Sequence, residues 1–419
     1  MDTIHVRGGN PLFGEVKIQG SKNAVLPIMA AALLIDDICI IENCPRIADV
    51  EFMKQLLSEA GCFISHSDRK LIIDARCATQ DKMSKEAVRG MRSSIMLLGA
   101  MLGRFGKVSM SYPGGCIIGK RPIDLHISAL QKMGVTIREE ESGFTAKTKK
   151  LKGNVLRLPF ASVGATENVI LAAVKAEGDT YLYHAAREPE IVSLCEFLTK
   201  AGAEIEGAGS DVIVVKGGKP LHGISYKVPA DRIVAGTYVC SVLGCGGHIL
   251  LRDAPYREME SIINIAKQAG AELASSSEGL SILMEKKPMP VPFIKTDVYP
   301  GFPTDLQSPL LAALTAAEGI SILEETIFED RFRIVQELEK MGADIRISGR
   351  RAIVCGGKRL RAAKVAAGEL RGGAGLVIAG SMAEGETIVT NRHFIDRGYE
   401  DICRDYQNMG VNIVTGKVL

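Results

Sequence analysis

The chain of 419 residues is longer than one hydrophobic core usually supports, so two domains are expected. Its apolar fraction of 46% and its charged fraction of 24% are typical of folded proteins and disfavour a disordered chain. Because 51 basic residues nearly balance 49 acidic ones, leaving a formal net charge of +2, binding to nucleic acid or to a membrane surface through bulk charge is disfavoured.

Targeting and metal-binding signals are lacking in the sequence. The start MDTIHVRGGN does not resemble a signal peptide, and the longest apolar run, Ala24 to Ile35, contains Pro27 and is too short to span a bilayer. The ten cysteines form no C-x-x-C pair, and the seven histidines show no H-E-x-x-H spacing. We therefore expect a cytoplasmic protein with reduced thiols, without a disulfide framework or a protein-built metal site.

A short phrase recurs six times, as SEAGCFI, QKMGVTI, TKAGAEI, KQAGAEL, EKMGADI and QNMGVNI. Its glycines are 73, 68, 68, 72 and 68 residues apart; they are Gly61, Gly134, Gly202, Gly270, Gly342 and Gly410. An amphipathic stretch such as IVSLCEFLTK precedes the glycine, and an alternating stretch such as AEIEGAGSDVIVV follows it. The pattern predicts an outer helix, a left-handed glycine at its C-terminus and a hairpin of strands.

A more uniformly apolar stretch stands earlier in each of these units. In chain order the six stretches are NAVLPIMAAALL, SSIMLLGAML, ENVILAAVKA, RIVAGTYVCSVL, LQSPLLAALTAA and GLVIAGSMA. A helix that is apolar all round is expected to be buried. The sequence therefore predicts an α/β chain of six units, each with one inner helix, one outer helix and several short strands.

Three units in each of two domains is the simplest division. The first domain would comprise residues 21–229, and the second would comprise residues 1–20 together with 230–419, because the last unit needs the N-terminal segment IHVRGGNPLFGEVKI to complete it. The chain would then cross between domains near Gly20 and near Pro229, an arrangement compatible with a hinge over a cleft.

Polar residues open the buried helices. They are Lys22 and Asn23, Arg92, the segment 162–167, Asp231 and Arg232, Asp305, and Arg371. A helix N-terminus favours anions, and an added Lys or Arg makes it an anion receptor. The alternative for each arginine is a simple ion pair with a neighbouring carboxylate. Together with Lys120, Arg121, Arg331 and Arg397, the basic residues form a set that suits a substrate bearing phosphate and carboxylate groups.

Long motifs containing these residues resemble the UDP-N-acetylglucosamine 1-carboxyvinyltransferase family. The motifs are GGNPLFGEVKIQGSKNAVLP, GGCIIGKRPIDLH, SVGATENVILAA, PADRIVAGTY, YPGFPTDLQ, ELRGGAGLVIAG and HFIDRGYEDI, and they extend over essentially the whole chain. The resemblance implies two similar domains, each an inside-out α/β barrel of three repeats with helices inside and sheets outside. Glu369 stands where the family more often has Asp, and Ile117 where a smaller residue is common.

The resemblance also implies a reaction. The enolpyruvyl group of phosphoenolpyruvate would pass to the sugar 3-hydroxyl of UDP-N-acetylglucosamine with release of phosphate, the first committed step of peptidoglycan synthesis. Addition to a double bond needs an acid and a base at opposite ends of the reacting group. Cys116, between glycines and near Lys120 and Arg121, resembles the general acid, and its loop could close as a lid.

Asp305 resembles the residue that takes the hydroxyl proton; its alternative role is to cap the helix that follows it. Phosphate contacts would come from Lys22, Arg121 and Arg397, with Arg331 and Arg371 nearer the carboxylate. The nucleotide-sugar contacts that the resemblance implies are Asn23, Arg92, Arg121, Pro122, Ile123, Asp124, Leu125, Ser162, Val163, Gly164, Asp305 and Ile327. For Ser162 and Gly164, ordinary turn chemistry is the alternative.

Two other functions stay open at this point. The sister family, 5-enolpyruvylshikimate-3-phosphate synthase, normally has a serine after the lysine of the SKN position and has no GGC loop, so Asn23 and Cys116 favour the UDP-sugar enzyme. A non-catalytic repeat protein that senses a phosphorylated metabolite is the alternative from another class. No cofactor is implied, because the substrate carries the activated group; the family likeness suggests a monomer that fosfomycin alkylates at Cys116.

Overall fold

A computed structural model describes residues 2–114, 119 and 123–417. In this part of the chain the residues form two compact units. We call residues 20–114 with 123–229 the central unit, and residues 2–19 with 119 and 230–417 the terminal unit.

The strands are short, and most are five or six residues long. In chain order they are β1 (Asp2–Gly8), β2 (Leu12–Lys17), β3 (Ile38–Glu42), β4 (Phe63–Ser67), β5 (Lys70–Asp74), β6 (Lys107–Ser111), β7 (Thr136–Glu140), β8 (Gly143–Lys147), β9 (Val155–Arg157), β10 (Asp179–Tyr183), β11 (Glu204–Glu206), β12 (Val212–Lys216), β13 (Ser225–Lys227), β14 (Gly247–Arg252), β15 (Glu272–Ser276), β16 (Gly279–Met284), β17 (Ile294–Lys295), β18 (Ile320–Glu324), β19 (Ile345–Ser348), β20 (Arg351–Cys355), β21 (Lys364–Ala366), β22 (Gly385–Thr390) and β23 (Asn412–Lys417).

The α-helices range from six to fourteen residues. They are α1 (Lys22–Ala32), α2 (Ala48–Glu59), α3 (Lys85–Gly90), α4 (Met96–Phe105), α5 (Asp124–Lys132), α6 (Val163–Ala173), α7 (Pro189–Lys200), α8 (Arg232–Cys245), α9 (Glu260–Gln268), α10 (Gln307–Leu314), α11 (Ile334–Lys340), α12 (Leu370–Met382) and α13 (Ile402–Asn408). Short 3₁₀ turns cover Arg92–Ile95, Tyr256–Glu258, Thr304–Leu306, Arg331–Arg333 and Arg392–Arg397.

The sheets of the described residues share one strand pattern. Five sheets have four strands each, in the orders β13-β3-β5-β4, β9-β10-β12-β11, β2-β14-β16-β15, β17-β18-β20-β19 and β21-β22-β1-β23. The first pair in each of these orders is parallel and the other two pairs are antiparallel. The sixth sheet, β6-β8-β7, has the two antiparallel pairs, and a bridge from Lys82 to Ser109 supplies the parallel contact.

Three apolar helices pack together within each unit. In the central unit they are α1, α4 and α6, and in the terminal unit α8, α10 and α12. The burial that the sequence predicted for these six stretches is confirmed, since nearly all of their residues are inaccessible to solvent. Strands such as β3, β5 and β10 alternate buried with more exposed residues, so each sheet presents one face to its unit's helices.

The recurring glycines end the outer helices as predicted. Gly61, Gly134, Gly202, Gly270, Gly342 and Gly410 all have φ between +84° and +110°. Only glycine adopts this left-handed region without strain, so each of these glycines lets the chain leave its helix and enter the next strand.

Along α8, the polar side chains of Thr237 and Tyr238 meet the segment that follows Arg397. Thr237 hydrogen-bonds the hydroxyl of Tyr399 at 2.8 Å, and Tyr238 donates its hydroxyl to Asp405 Oδ2 at 2.6 Å. The Asp405 side chain is only 9% exposed. Burial raises the pKa of Asp405 to about 6, although the Tyr238 hydroxyl acts to lower it.

This pKa predicts a pH-dependent stability. Between pH 4 and pH 6 the folded protein keeps a proton on Asp405 that the unfolded chain has lost, so the free energy of unfolding falls as pH rises through this window, by about 3 kcal/mol. Asp405→Asn should remove this fall, because an amide does not titrate and can still accept from Tyr238. Urea unfolding at pH 4, 5, 6 and 7 measures the free energy of unfolding, with Asp179→Asn, at an exposed position, as the control. An unchanged pH slope in Asp405→Asn would contradict the assignment.

Candidate active site

Lys22 is held at the start of α1 in the central unit. The Ser21 hydroxyl caps this helix by accepting from the Ala24 N–H at 3.3 Å. Lys22 Nζ lies 2.7 Å from Asp49 Oδ2, and the two side chains are 11% and 2% exposed. Asp49 lies in the first turn of α2, and sequence reasoning did not name it. A buried carboxylate thus fixes the ammonium group, with Asn23 half-buried beside it.

The start of α6 is a second predicted site in the central unit. Ser162 caps the helix, its hydroxyl accepting from the Ala165 N–H at 3.4 Å. Val163 and Gly164 form the first turn and are half-buried. The first N–H groups of a helix have no intrahelical acceptor and suit an anion. A Cβ at Gly164 would lie 3.0 Å from His126 Cε1, so the histidine ring fills the space over this glycine.

Glu167 closes the predicted segment 162–167 and lies within α6. Its side chain is fully buried, and neither carboxylate oxygen has a hydrogen-bond partner among the described residues. Burial raises the pKa of Glu167 well above its usual range, and the charges of Glu190 and Glu188 add to the effect. The buried position of Glu167 therefore favours the protonated form of its carboxyl group.

Arg92 and the start of α5 bring further predicted residues into this unit. Arg92 opens a 3₁₀ turn and donates from Nη1 to the Pro113 carbonyl at 3.4 Å. Ile123 is buried directly before α5, Asp124 is exposed, and Leu125 is half-buried. Burial, with a smaller contribution from Arg92, lowers the pKa of His126 to about 4.

Asp305 lies between two arginines in the terminal unit. Arg331 Nη2 donates to Asp305 Oδ1 at 2.5 Å, and Arg371 Nη2 donates to Oδ2 at 3.4 Å. The two arginine side chains are 2% and 3% exposed, whereas that of Asp305 is 29% exposed. The capping alternative for Asp305 is wrong, because Leu306 occupies the N-cap of α10 and no side chain caps this helix.

Arg371 has donors left over after this pairing. Its Nε and Nη1 are buried without a partner at hydrogen-bond distance and angle among the described residues, although the Tyr399 side chain lies beside the guanidinium, with Cζ 5.6 Å from its ring centroid. Burial acts to lower the pKa of Arg371, but Tyr399, Asp305 and Asp231 outweigh it and raise the pKa. Glu369 caps α12 by accepting from the Arg371 N–H at 2.8 Å and from the Gly372 N–H. Glutamate therefore fulfils the cap role at this position.

The remaining predicted residues of the terminal unit lie in nearby turns. Ile327 is exposed, in a turn whose N–H groups donate to the buried Glu325 carboxylate. The same carboxylate accepts from Thr304, next to Asp305, at 2.8 Å. Arg397 ends a 3₁₀ segment. The Gln19 side chain holds the backbone that follows, because its Nε2 donates to the Gly398 carbonyl and its Oε1 accepts from the Glu400 N–H.

The structure brings some predicted residues into direct contact and others only into the same unit. Asp305 contacts both Arg331 and Arg371. Cys116, Arg121 and Pro122 lie outside the described residues, as does Lys120. Of the other cysteines, Cys240 is fully buried, and burial raises the pKa of Cys62 and Cys195 to about 12, so these thiols are unreactive.

The described residues contain no group of three or more His, Cys, Asp or Glu placed to hold a metal ion. Within the same residues, no helix is both long and apolar enough to cross a membrane.

Known proteins are similar to this chain over nearly its whole length. The family model of EPSP synthase (3-phosphoshikimate 1-carboxyvinyltransferase) matches residues 6–405. A protein of Caldanaerobacter subterraneus subsp. tengcongensis named UDP-N-acetylglucosamine 1-carboxyvinyltransferase 2 is 44% identical over 414 residues, 99% of each chain. A UDP-N-acetylglucosamine 1-carboxyvinyltransferase of Clostridium botulinum is 42% identical over 416 residues, 99% of this chain and 100% of the relative. This chain belongs to the UDP-N-acetylglucosamine 1-carboxyvinyltransferase family.

Solved structures agree with the fold of this family. The enolpyruvyl transferase NikO from Streptomyces tendae superposes with a TM-score of 0.90 over 100% of this chain and 99% of its own, at 23% sequence identity. EPSP synthase from Acinetobacter baumannii gives a TM-score of 0.74 over 100% of both chains, at 18% identity. The predicted α/β fold of enolpyruvyl transferase type is confirmed.

Proposed function

We propose that this protein transfers the enolpyruvyl group of phosphoenolpyruvate to the 3-hydroxyl of UDP-N-acetylglucosamine and releases phosphate. The observation that carries the proposal is the full-length likeness, at 40–44% identity, to relatives named for this activity. The reaction would commit the sugar to peptidoglycan, and the protein would act in the cytoplasm as a monomer, without a cofactor. We further propose that residues 21–229 and residues 1–20 with 230–419 act as two domains built of six copies of one unit.

The anionic substrate would be held by the basic residues. Arg371 supports this role, because its buried Nε and Nη1 have no described partner at hydrogen-bond distance and angle and can donate to a carboxylate. Arg331 would join it on the carboxylate side, while Lys22, Arg121 and Arg397 would contact the phosphate. A fixed positive clamp stabilises the charge that builds up on the carboxylate and on the leaving phosphate.

Asp305 would accept the proton of the sugar hydroxyl. In the structure its two oxygens are each bonded to an arginine, Arg331 on one side and Arg371 on the other. An anionic substrate that takes over these guanidinium groups would free one carboxylate oxygen for the hydroxyl. Binding of phosphoenolpyruvate would thus make the Asp305 carboxylate available as the base.

Cys116 would protonate the methylene carbon on the opposite face. The hydroxyl oxygen then bonds to C2 of the enol ester, and the adduct collapses by losing phosphate from C2 and a proton from C3. Arg121 would contact the phosphate beside the thiol, and the cysteine would also be the site that fosfomycin alkylates.

The nucleotide sugar would bind the central unit at the starts of three helical segments. The N–H groups of Val163 and Gly164 lie in the first turn of α6, where they have no intrahelical acceptor, and they would donate to the diphosphate, while Ser162 shapes the turn. Asn23, Arg92 and the run from Arg121 through Pro122, Ile123 and Asp124 to Leu125 would complete the contacts, with Ile327 and Asp305 on the terminal unit.

The test is a phosphate assay with matched substrates. The protein is mixed with phosphoenolpyruvate and UDP-N-acetylglucosamine, and inorganic phosphate is measured over time. Shikimate 3-phosphate replaces the sugar nucleotide in a parallel reaction. We expect phosphate only with UDP-N-acetylglucosamine; turnover only with shikimate 3-phosphate would overturn the proposal, and binding of the nucleotide sugar without turnover would indicate a sensor.

A further inference from the structure

The buried hydroxyl of Tyr399 has a fixed hydrogen-bond direction. Thr237 Oγ1 lies 2.8 Å from the Tyr399 hydroxyl and 2.9 Å from the Ile233 carbonyl oxygen. A threonine hydroxyl has one proton and a carbonyl oxygen can only accept, so Thr237 donates to Ile233. The Tyr399 hydroxyl then donates its own proton to Thr237. The Tyr399 oxygen keeps its lone pairs for a further donor.

Arg371 is the donor group beside this oxygen. Its Cζ lies 5.6 Å from the centroid of the Tyr399 ring, and both side chains are buried. Burial raises the pKa of Tyr399, and Arg371 opposes this rise through its charge and through a contact of the two side chains. A guanidinium has only donors, so it cannot accept the phenol proton, which agrees with Thr237 as the acceptor. The phenol oxygen therefore faces Arg371 as an acceptor, in addition to Asp305 at Nη2.

The backbone around Tyr399 is held on both sides. The Gln19 side chain donates from Nε2 to the preceding carbonyl at 3.0 Å and accepts at Oε1 from the following N–H at 2.8 Å. Arg397, a proposed phosphate contact, stands two residues earlier, at the end of a 3₁₀ segment. One fixed segment thus carries Arg397 in its backbone and meets Arg371 through the Tyr399 side chain.

We propose that Tyr399 is a positioning residue of the phosphoenolpyruvate site: its hydroxyl, oriented by Thr237, holds the Arg371 guanidinium against the segment that carries Arg397. The inference rests on the proposed function, because the two arginines would contact the carboxylate and the phosphate of one substrate. A displacement of about 1 Å in one of them would mismatch the pair. Loss of the Tyr399 hydroxyl should therefore impair the use of phosphoenolpyruvate and spare the nucleotide sugar.

Substitutions at two positions test this role. Tyr399→Phe removes the hydroxyl and keeps the ring; we expect kcat/KM for phosphoenolpyruvate to fall about 3- to 10-fold, the effect of one buried hydrogen bond, with an unchanged KM for UDP-N-acetylglucosamine. Thr237→Val should cause a similar loss, because the phenol proton loses its acceptor and turns toward Arg371, whereas Thr237→Ser retains most activity. Combining Thr237→Val with Tyr399→Phe should add nothing to Tyr399→Phe alone, since Thr237 acts through the phenol.

Tyr406 provides a matched control for the loss of a buried phenol. Its hydroxyl lies 2.6 Å from Ser241, which donates to the Thr237 carbonyl at 3.0 Å, so this pair repeats the arrangement one turn further along α8. The Tyr406 ring packs edge-on against Tyr238, with the centroids 5.9 Å apart. Tyr406→Phe should lower the melting temperature about as much as Tyr399→Phe does, but it should leave kcat/KM for phosphoenolpyruvate at the wild-type value.

Other results would overturn the inference. An unchanged kcat/KM in Tyr399→Phe excludes the role. Equal losses in Tyr399→Phe and Tyr406→Phe, a matching rise in the KM for UDP-N-acetylglucosamine, or additive losses in the double variant show that Tyr399 only packs. Calorimetric titration of phosphoenolpyruvate compares the same variants without turnover, so a wild type that binds it without releasing phosphate overturns the proposed reaction and still allows this comparison.

Discussion

Replacing Cys116 by alanine is expected to abolish phosphate release at neutral pH. Loss of a general acid typically costs about 10²- to 10⁴-fold in rate, and alanine cannot deliver a proton to the methylene carbon. The same variant should also resist alkylation by fosfomycin. Both effects are measured on purified protein, by the phosphate assay and by intact-protein mass spectrometry.

Two other cysteines provide matched controls for this experiment. Cys77 is exposed and tests general thiol accessibility, whereas Cys240 is fully buried and tests the effect of losing a core thiol. Neither Cys77→Ala nor Cys240→Ala should change turnover or the stoichiometry of alkylation. If Cys116→Ala still gains one fosfomycin adduct, or still turns over at the wild-type rate, another residue supplies the acid.

Asp305→Asn is expected to lower kcat by about 10²- to 10⁴-fold without raising the KM for phosphoenolpyruvate. The amide cannot accept the hydroxyl proton, which accounts for the fall in kcat. It also leaves Arg331 and Arg371 without their carboxylate, so both guanidinium groups become more available to the anionic substrate. The combination of a lower kcat with an unchanged or lower KM distinguishes a base from a residue that only binds substrate.

The same substitution has a consequence for stability. Two nearly buried guanidinium groups lose their counter-ion, which is costly for the folded state. The melting temperature should therefore fall, and added inorganic phosphate should raise it more in the variant than in the wild type, because an anion replaces the carboxylate. Asp330→Asn is the control, since Asp330 pairs with the half-exposed Arg333 beside the site. A raised KM with unchanged kcat would contradict the role of Asp305 as base.

Local sequence signals predicted the framework well. The spacing of the six glycines predicted where outer helices end, because a left-handed residue at a helix C-terminus is almost always glycine. Uniformly apolar stretches predicted the buried helices, because a helix without a polar face must be covered on all sides. Ser162 was predicted as part of a helix start and as a nucleotide-sugar contact, and its hydroxyl does cap α6.

Contacts between distant residues were not predictable in this way. Lys22 and Asp49 are 27 positions apart, and Arg371 reaches Asp305 across 66 positions.

The sequence by itself determined the α/β repeat pattern, the buried helices and the family, because these depend on residue type and on spacing along the chain. Only the tertiary structure decided the state of the polar groups. It set Asp305 between two arginines rather than at a helix cap, and it buried Glu167 in the core, where the pKa of its carboxyl group is raised. Hydrogen-bond partners and pKa values depend on which groups burial brings within a few ångströms, and distance in space is not encoded locally.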